Sequence, residues 1–219
     1  MDDRQHSFND HYTRTISQIK WFEPYIDTEI LEEYNNSSIK EGMSILDAGC
    51  GCSLDSVFFA CKGLSVTAID FASNAIDKLN DLAQEIGIKI TTLNASVLSI
   101  PSQYNNVFDV VSDNGCFHHI EPSKRNIYAD QMARVLKPNG TLYIRAHSDF
   151  DSKPISGELR AYRLSSDTII DTFFQKFKIE KMYPYNYLRT STGVSKVWFI
   201  KLKRRNIEVA QTPSVNRSK

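Results

Sequence analysis

The sequence lacks an excess of either charge, since its 219 residues include 26 lysines and arginines against 26 aspartates and glutamates. A chain with this balance has no general attraction to nucleic acid, which argues against a basic coat protein. It also lacks a long apolar run, and its first residues contain no basic segment followed by an apolar one. These absences predict a cytoplasmic protein that binds no nucleic acid and no membrane.

Cysteines are few, and their placement does not suggest a structural role. Four cysteines in a chain of this length are too sparse for the disulfide framework of a secreted protein. Cys50 and Cys52 form one close pair with no second pair downstream, and the five histidines are not spaced to complete a zinc site. We therefore predict reduced thiols and no metal.

Strand-like and helix-like segments alternate along most of the chain. The predicted strands begin at Ser44, Ser65, Ile88, Phe108 and Thr141, with two late ones near residues 177–183 and 194–202. Apolar residues at helical spacing separate them. This order predicts an α/β fold with a Rossmann-like sheet of seven strands, mostly parallel, with helices on both faces and a late antiparallel strand.

The same patterns divide the chain into three parts. Residues 1–39 are predicted to form N-terminal helices, two short ones between Thr15 and Tyr34, which could close over a site as a lid. Residues 40–203 contain the alternating strands and helices and form the main domain. Residues 204–219 are polar and basic, and we expect a flexible tail there.

The chemistry of the chain is concentrated where the first two predicted strands end. Asp47 closes the first strand and is followed by Gly49 and Gly51, which allow the backbone to approach a ligand closely because they have no Cβ. The second strand ends at Asp70, where a carboxylate can accept hydrogen bonds from both hydroxyls of a ribose. These residues predict a site for a ligand that contains a nucleoside.

Two such ligands fit a glycine turn of this kind. A dinucleotide turn normally needs a third small residue where this chain has Leu54. An S-adenosyl ligand needs no pyrophosphate site, but it needs an acid near its ammonium and sulfonium charges, and Asp47 offers one. The details favour the S-adenosyl ligand, while a third reading remains open in which Asp47 and Asp70 only cap helices.

Four different segments of the sequence follow one another in a characteristic order, at residues 45–51, 68–71, 108–111 and 136–142. In that order and spacing they resemble the successive signatures of class I S-adenosylmethionine-dependent methyltransferases, over roughly residues 40–147. Residues 113–120 and, more loosely, 21–24 are similar to the small-molecule branch related to the thiopurine and tellurite-resistance enzymes. The resemblance implies transfer of a methyl group to a nitrogen, oxygen or sulfur of a small molecule by in-line displacement, with S-adenosylhomocysteine as the product.

The resemblance also implies roles for single residues. Gly49 and Gly51 would line the methionine part of the cofactor, Asp70 would bind the ribose, and Phe71 would pack on adenine. Ser96 departs from the acid that the family usually has at the adenine edge, and Asn114 stands where this branch often has arginine. The residues predicted to contact the cofactor are Trp21, Asp47, Gly49, Cys50, Gly51, Asp70, Phe71, Ser96, Val97, Asp113 and Asn114.

The methyl acceptor is expected near the end of the fourth strand. His118 and His119 are the candidates for a general base, although one could instead pack under the loop and the other cap the next helix. Tyr12 and Arg163 are the candidates for binding the acceptor, Tyr12 as part of a cover over the site and Arg163 as a contact for an anionic acceptor. The chain is expected to act as a monomer or a homodimer.

Three other functions remain as alternatives. A nucleic-acid or protein methyltransferase would need a basic groove or a recognition domain, which a neutral chain of this size does not suggest. A nicotinamide-dependent oxidoreductase is disfavoured by Leu54. A non-catalytic protein that binds the S-adenosyl ligand stays open because of Ser53, Ser96 and Asn114, since a fold does not determine a function.

Overall fold

A computed structural model describes residues 3–19, 21–153, 159–189 and 193–206 of the chain. Its strands are β1 (Ser44–Ala48), β2 (Ser65–Asp70), β3 (Thr91–Asn94), β4 (Phe108–Asn114), β5 (Leu136–His147), β6 (Phe177–Arg189) and β7 (Gly193–Arg204). Its α-helices are α1 (Asp3–His11), α2 (Thr28–Asn35), α3 (Leu54–Cys61), α4 (Ser73–Glu85), α5 (Arg125–Val135) and α6 (Ser166–Phe173). The predicted alternation of strands and helices is confirmed.

The strands form one sheet with the order β3-β2-β1-β4-β5-β7-β6. The first five strands run parallel, and β7 lies antiparallel between β5 and β6. This arrangement confirms the predicted Rossmann-like, mostly parallel sheet with a late antiparallel strand. Because the chain starts in the middle at β1 and reverses direction across the sheet between β1 and β4, a crevice is expected at the carboxyl ends of these two strands.

The central strands are buried on both faces, which explains their continuous apolar runs. Leu46 and Val111 pack into the apolar cluster on one face, whereas Ile45 and Val110 pack into the cluster on the other. Each of these four side chains is at most 1% exposed. Alternate residues of a strand point to opposite faces, so each central strand contributes to both layers of the core.

The N-terminal segment differs from the sequence prediction. The first helix predicted between Thr15 and Phe22 is wrong, because only a short 3-10 turn forms at Ile16–Gln18, and the segment folds back so that Trp21 packs against His11. Helix α1 lies earlier and was not predicted, because its sequence is polar apart from Phe8 and shows no apolar period. The second predicted helix is confirmed as α2.

Helix α2 is fastened to the late strands through a buried acid. The carboxylate of Glu33 accepts hydrogen bonds from Lys181 and Lys201, each at 2.6 Å, and from the Tyr143 hydroxyl at 3.0 Å. Burial alone would raise the pKa of Glu33, but these donors outweigh it and hold the pKa at about 2. The helix is therefore tied to β5, β6 and β7 at one point.

Strand β7 ends at Arg204, whereas the sequence analysis expected the main domain to end at residue 203 and a flexible tail to begin at residue 204. The backbone N–H of Arg205 still donates to the carbonyl of Lys176 at 2.8 Å. Residues 207–219, which make up most of the predicted flexible tail, lie outside the described residues. None of the described helices combines the length and the apolar character that crossing a membrane requires.

Candidate functional site

The glycine turn between β1 and α3 is shaped by left-handed backbone. Gly49 and Gly51 have φ angles of 69° and 53°, a region that residues with a Cβ avoid. A Cβ on Gly49 would lie 2.5 Å from the Cβ of Cys116, and one on Gly51 would collide with the hydroxyl of Tyr12. Both glycines are therefore required by their neighbours as well as by their own conformation.

Asp70 ends β2 beside this turn. One carboxylate oxygen accepts a hydrogen bond from the backbone N–H of Gly51 at 2.9 Å, and the other accepts one from Ala72 at 2.8 Å. Burial raises the pKa of Asp70 to about 6, although the backbone donors oppose the shift. A carboxylate oxygen can accept more than one hydrogen bond, so Asp70 holds the turn and keeps acceptor capacity for a ligand.

A cavity of about 580 Å³ opens at the carboxyl ends of the parallel strands, a volume typical of small-molecule sites. The predicted residues that line it are Tyr12, Trp21, Gly49, Cys50, Gly51, Asp70, Phe71, Ser96, Val97, Asn114, His118 and His119. They come from the N-terminal segment, the glycine turn and the loops after β2, β3 and β4. The structure therefore brings these twelve predicted residues to one space.

Asp47 and Arg163 are two of the three predicted residues that do not line this cavity, and Asp113 is the third. Asp47 is 1% exposed, and its carboxylate accepts a hydrogen bond from the Ser56 hydroxyl at 2.6 Å. Burial and the nearby Asp55 raise the pKa of Asp47. The guanidinium of Arg163 donates a hydrogen bond to the backbone carbonyl of Lys153. Arg163 therefore contacts the backbone and does not face the cavity.

Asp113, at the end of β4, lies beneath the cavity wall and does not line it. Its carboxylate accepts hydrogen bonds from the backbone N–H of Cys116 at 2.8 Å and Phe117 at 3.2 Å, and from the Tyr128 hydroxyl at 2.5 Å. Burial raises the pKa of Asp113 to about 6. The side chain therefore organises the loop that carries the two histidines.

Aromatic residues of the N-terminal segment cover the glycine turn. The indole N–H of Trp21 donates to the hydroxyl of Tyr12 at 3.0 Å. The ring of Phe8 lies edge-on to Phe71, with 5.4 Å between centroids, and to His119, with 5.2 Å. These contacts form one wall of the cavity from residues that precede the sheet in sequence.

Several cavity-lining residues have a buried polar atom without a hydrogen-bond partner among the described residues, and Asn114 Oδ1 and Ser53 Oγ are two of these atoms. The side-chain N–H of Asn114 donates to Asp55 at 2.7 Å, which leaves its carbonyl oxygen as an unused acceptor. Buried polar groups are nearly always satisfied, so these atoms indicate a ligand with polar groups at this position. An ammonium group would suit the Asn114 oxygen.

The hydrogen bonds of His118 and His119 assign their ring protons. His118 Nδ1 faces the backbone N–H of His147 at 3.3 Å, which can only donate, so the proton of the neutral ring is on Nε2. His119 Nδ1 lies 2.9 Å from the carbonyl of Arg160, which can only accept, so His119 Nε2 keeps a lone pair. Burial holds the pKa of His118 well below its ordinary value and lowers that of His119 to about 4.

The sequence analysis did not identify two arginines and a third histidine that line the cavity from β5 and β6. Arg145, Arg189, His147 and Tyr187 all line it. Arg145 pairs in register with Asn114 and directly follows the residues predicted as the fifth strand, so the rule that ligands bind at strand ends could have identified it. Arg189 could not be found in this way, because it depends on the antiparallel pairing of β6. Among the described residues, no cluster of three or more His, Cys, Asp or Glu side chains could hold a metal ion.

Comparisons with known proteins agree with this geometry. Residues 45–140 match a family model described as a methyltransferase domain. A thiopurine S-methyltransferase of Francisella tularensis subsp. novicida (strain U112) is 25% identical over 166 residues, covering 69% of this chain and 72% of the relative.

Solved structures share the fold. A protein studied for the conversion of a disulfide bond into a thioacetal group during echinomycin biosynthesis superposes with a TM-score of 0.79, at 21% identity, over 93% of this chain and 94% of that one. A Burkholderia thailandensis 1,6-didemethyltoxoflavin-N1-methyltransferase, solved with S-adenosylhomocysteine, gives a TM-score of 0.61 at 18% identity, over 82% and 87%. The predicted resemblance is confirmed: residues 45–140 match a methyltransferase domain, and the relatives and solved structures support an S-adenosylmethionine-dependent methyltransferase.

Proposed function

We propose that this protein methylates a small molecule that binds beside His118 and His119. The observation that carries the proposal is that the glycine turn with Asp70 and the histidine pair open into one cavity of about 580 Å³. A cavity of this volume is typical of sites for small molecules. The relatives named above act on a thiopurine and on didemethyltoxoflavin, which supports an acceptor of this size.

The residues present fit the cofactor. We propose that Gly49 and Gly51 admit its methionine part, that Asp70 accepts hydrogen bonds from the ribose, and that Phe71 packs on adenine. The unused oxygen of Asn114 would accept from the ammonium group. The remaining contacts of the proposed site come from Trp21, Cys50, Ser96 and Val97. Asp47 and Asp113 act from behind the cavity wall as positioning residues.

When bound, S-adenosylmethionine supplies a methyl group made electrophilic by its attachment to a sulfonium. The cavity then has to align the acceptor atom with that methyl group and exclude water, which accounts for most of the rate in a displacement. Trp21 and Tyr12 exclude water on one side of the cavity. No protein nucleophile is needed.

The two histidines receive different roles in this proposal. His119 Nε2 has the lone pair and accepts the proton that the nitrogen, oxygen or sulfur of the acceptor releases. An acceptor atom becomes strongly acidic as it forms its new bond, so a base whose pKa is about 4 is sufficient. His118 Nε2 has the proton and donates a hydrogen bond that orients the acceptor.

Calorimetric titration with S-adenosylhomocysteine, S-adenosylmethionine and NAD tests the cofactor site. We expect binding of the two S-adenosyl ligands alone. Asp70→Asn should weaken that binding about 10- to 100-fold, because a hydrogen bond to a charged group contributes about 1.5–3 kcal/mol. Wild-type affinity should fall as the pH drops below about 6, where Asp70 becomes protonated, whereas the Asn variant should lose this dependence on Asp70.

Asp109→Asn is the matched control. Asp109 lies at the opposite end of β4, where it pairs with Lys137 at 2.8 Å, so its loss should lower stability without changing cofactor affinity. Binding of NAD alone would contradict the proposal. Binding of the S-adenosyl ligands without transfer to any of a broad panel of small thiols, phenols and amines would favour a non-catalytic ligand-binding protein.

A further inference from the structure

We propose that the methyl acceptor is an anion and that Arg145 and Arg189 bind its carboxylate, an inference that rests on the proposed methyl transfer. Both side chains line the cavity. Arg145 lies on β5, in register with the end of β4, and Arg189 is the last residue of β6. They form a pair of cations in the part of the cavity formed by β5 and β6, which we propose binds the methyl acceptor.

Both guanidinium groups make cation–π contacts with the ring of Tyr187. The guanidinium carbon of Arg145 lies 3.8 Å from the centroid of the Tyr187 ring, and that of Arg189 lies 5.9 Å from it. Tyr187 is itself 5% exposed. Two like charges placed this close in a poorly solvated wall repel each other, and an anion bound between them would relieve the repulsion.

Each of the two arginines has one donor atom that no acceptor in the described part of the chain satisfies. Arg145 Nη1 and Arg189 Nε are buried atoms with no partner among the described residues. A buried donor without an acceptor costs free energy, which a ligand oxygen would recover. A carboxylate has two oxygens in one plane, the arrangement that matches the donors of a guanidinium group.

The nearby acids do not fill this role. Asp27 Oδ2 lies 3.7 Å from Arg145 Nε, which is beyond hydrogen-bond distance, and the two Asp27 oxygens already accept from a helix N–H and a tyrosine hydroxyl. Asp55 also faces Arg145, and Glu23 stabilises the charge of Arg189. Each arginine nevertheless keeps an unused donor at the cavity.

The position of the pair favours the acceptor over the cofactor as the source of the carboxylate. Asp70 and Val97 lie at the β2 and β3 side of the sheet, whereas β5 and β6 lie on the other side of β4. His147 stands with the arginines, and burial together with the charge of Arg189 lowers its pKa to about 3, so the imidazole is neutral. The charges of Arg145 and Arg189 both contribute to lowering the pKa of His118, so the two guanidinium groups share a side of the cavity with that histidine.

The test uses aromatic acceptor candidates in pairs that differ in charge. The probes are 4-mercaptobenzoate, 4-hydroxybenzoate and 4-aminobenzoate, each compared with its methyl ester, and calorimetry follows their binding to protein saturated with S-adenosylhomocysteine. We expect at least one acid to bind the wild type about 10- to 100-fold more tightly than its ester. Arg189→Gln should abolish this preference, and Arg189→Lys should retain part of it.

Arg14→Gln is the matched control, because Arg14 is exposed and does not line the cavity; it should keep the full preference. Arg145→Gln should act like Arg189→Gln, but it also leaves Asp27 without its cation. If that variant does not fold, the Arg189 variants alone decide the question.

The cofactor has a carboxylate of its own, so a second titration separates the two sources. S-adenosylhomocysteine is compared with 5′-methylthioadenosine, which lacks the amino-acid part. If Arg189→Gln weakens binding of the first but not of the second, the arginines hold the cofactor and the proposal is overturned. Equal binding of acids and esters, or no binding of any acid, also overturns it, whereas failure of the wild type to bind S-adenosylhomocysteine overturns the proposed function itself.

Discussion

At the scale of single residues, neighbouring histidines can differ in chemistry because of one backbone contact each. His118 faces a backbone N–H and His119 faces a backbone carbonyl, so the free nitrogen of His118 has the proton and that of His119 does not. Only a nitrogen with a lone pair can accept a proton. The backbone, and not the imidazole itself, therefore selects which histidine serves as the base.

Substitution of each histidine tests this assignment. His119→Gln should lower kcat for methyl transfer about 100-fold, the usual loss for a general base, and His118→Gln should lower it about tenfold because one hydrogen bond is lost. Wild-type kcat should stay constant between pH 8 and pH 6 and fall as the pH approaches 4, where His119 becomes protonated. Measurement of kcat and KM against pH for both variants checks this result.

His6→Gln is a suitable control, because this exposed histidine on α1 lies 3.5 Å from Asp10 of the same helix and does not line the cavity. It should leave kcat unchanged. A larger loss for His118→Gln than for His119→Gln would reverse the two roles.

The residues that sequence reasoning could place are those whose role is set locally. Gly49, Gly51 and Asp70 follow directly from strand ends and from the need for backbone without a Cβ. Asp113 was placed at the right strand end, but its side chain turns under the loop, which depends on Tyr128 from α5. Arg189 depends on the register of an antiparallel pair, which no local pattern specifies.

At the scale of elements, α2 connects the N-terminal segment to the sheet. Glu33 of this helix is 1% exposed and holds Lys181 and Lys201 together. Its pKa of about 2 lies below the ordinary value of 4.5. Glu33 therefore stabilises the fold above about pH 4.5, and this stabilisation is lost as the pH falls toward 2.

Glu33→Gln should lower the free energy of unfolding at pH 7 by about 3 kcal/mol, because it removes one partner from a buried ion pair. The difference from the wild type should shrink at pH 3, where part of the wild-type stabilisation is already lost. Urea denaturation at both pH values measures this. Glu32→Gln, an exposed change on the same helix, should have little effect at either pH, and an equal loss in both variants would contradict the role of Glu33.

Helices and strands could be predicted from the sequence where their buried faces give the apolar residues a regular spacing. The central strands read as apolar runs because both of their faces are covered, and α4 reads as a helix because Ala75, Ile76, Leu79 and Ala83 share its buried face. Helix α1 has no such period, since His11 is its one buried residue. It forms because polar groups of Asn9 meet α4, a contact that becomes visible only in the folded molecule.

At the scale of the whole molecule, the cavity is closed by its least buried helix. Helix α1 is attached through the ring of Phe8 and through polar contacts, such as the backbone N–H of Asn74 donating to Asn9 at 2.9 Å and Gln5 donating to the carbonyl of Phe71 at 2.8 Å. Segments with few buried apolar contacts open at low free-energy cost. The wall over the glycine turn is therefore suited to open for ligand exchange.

Hydrogen exchange with mass spectrometry tests this property. S-adenosylhomocysteine should slow amide exchange in peptides from Asp3–His11 far more than in peptides from α6, which does not line the cavity. The reason is that a ligand under α1 removes the space into which the helix can open. Equal protection of α1 and α6 would indicate general stabilisation and contradict the proposed role of α1 as a lid.

The place of β7 in the sheet has a consequence for how the protein is made. This strand, at residues 193–204, is the last in the described chain, yet it lies in the interior of the sheet between β5 and β6. During synthesis, β5 therefore exposes an unpaired, apolar edge until residues 193–204 have left the ribosome. An unpaired edge invites association with other chains, so a nascent or truncated form that ends before residue 193 is expected to aggregate although every residue of the glycine turn is already present.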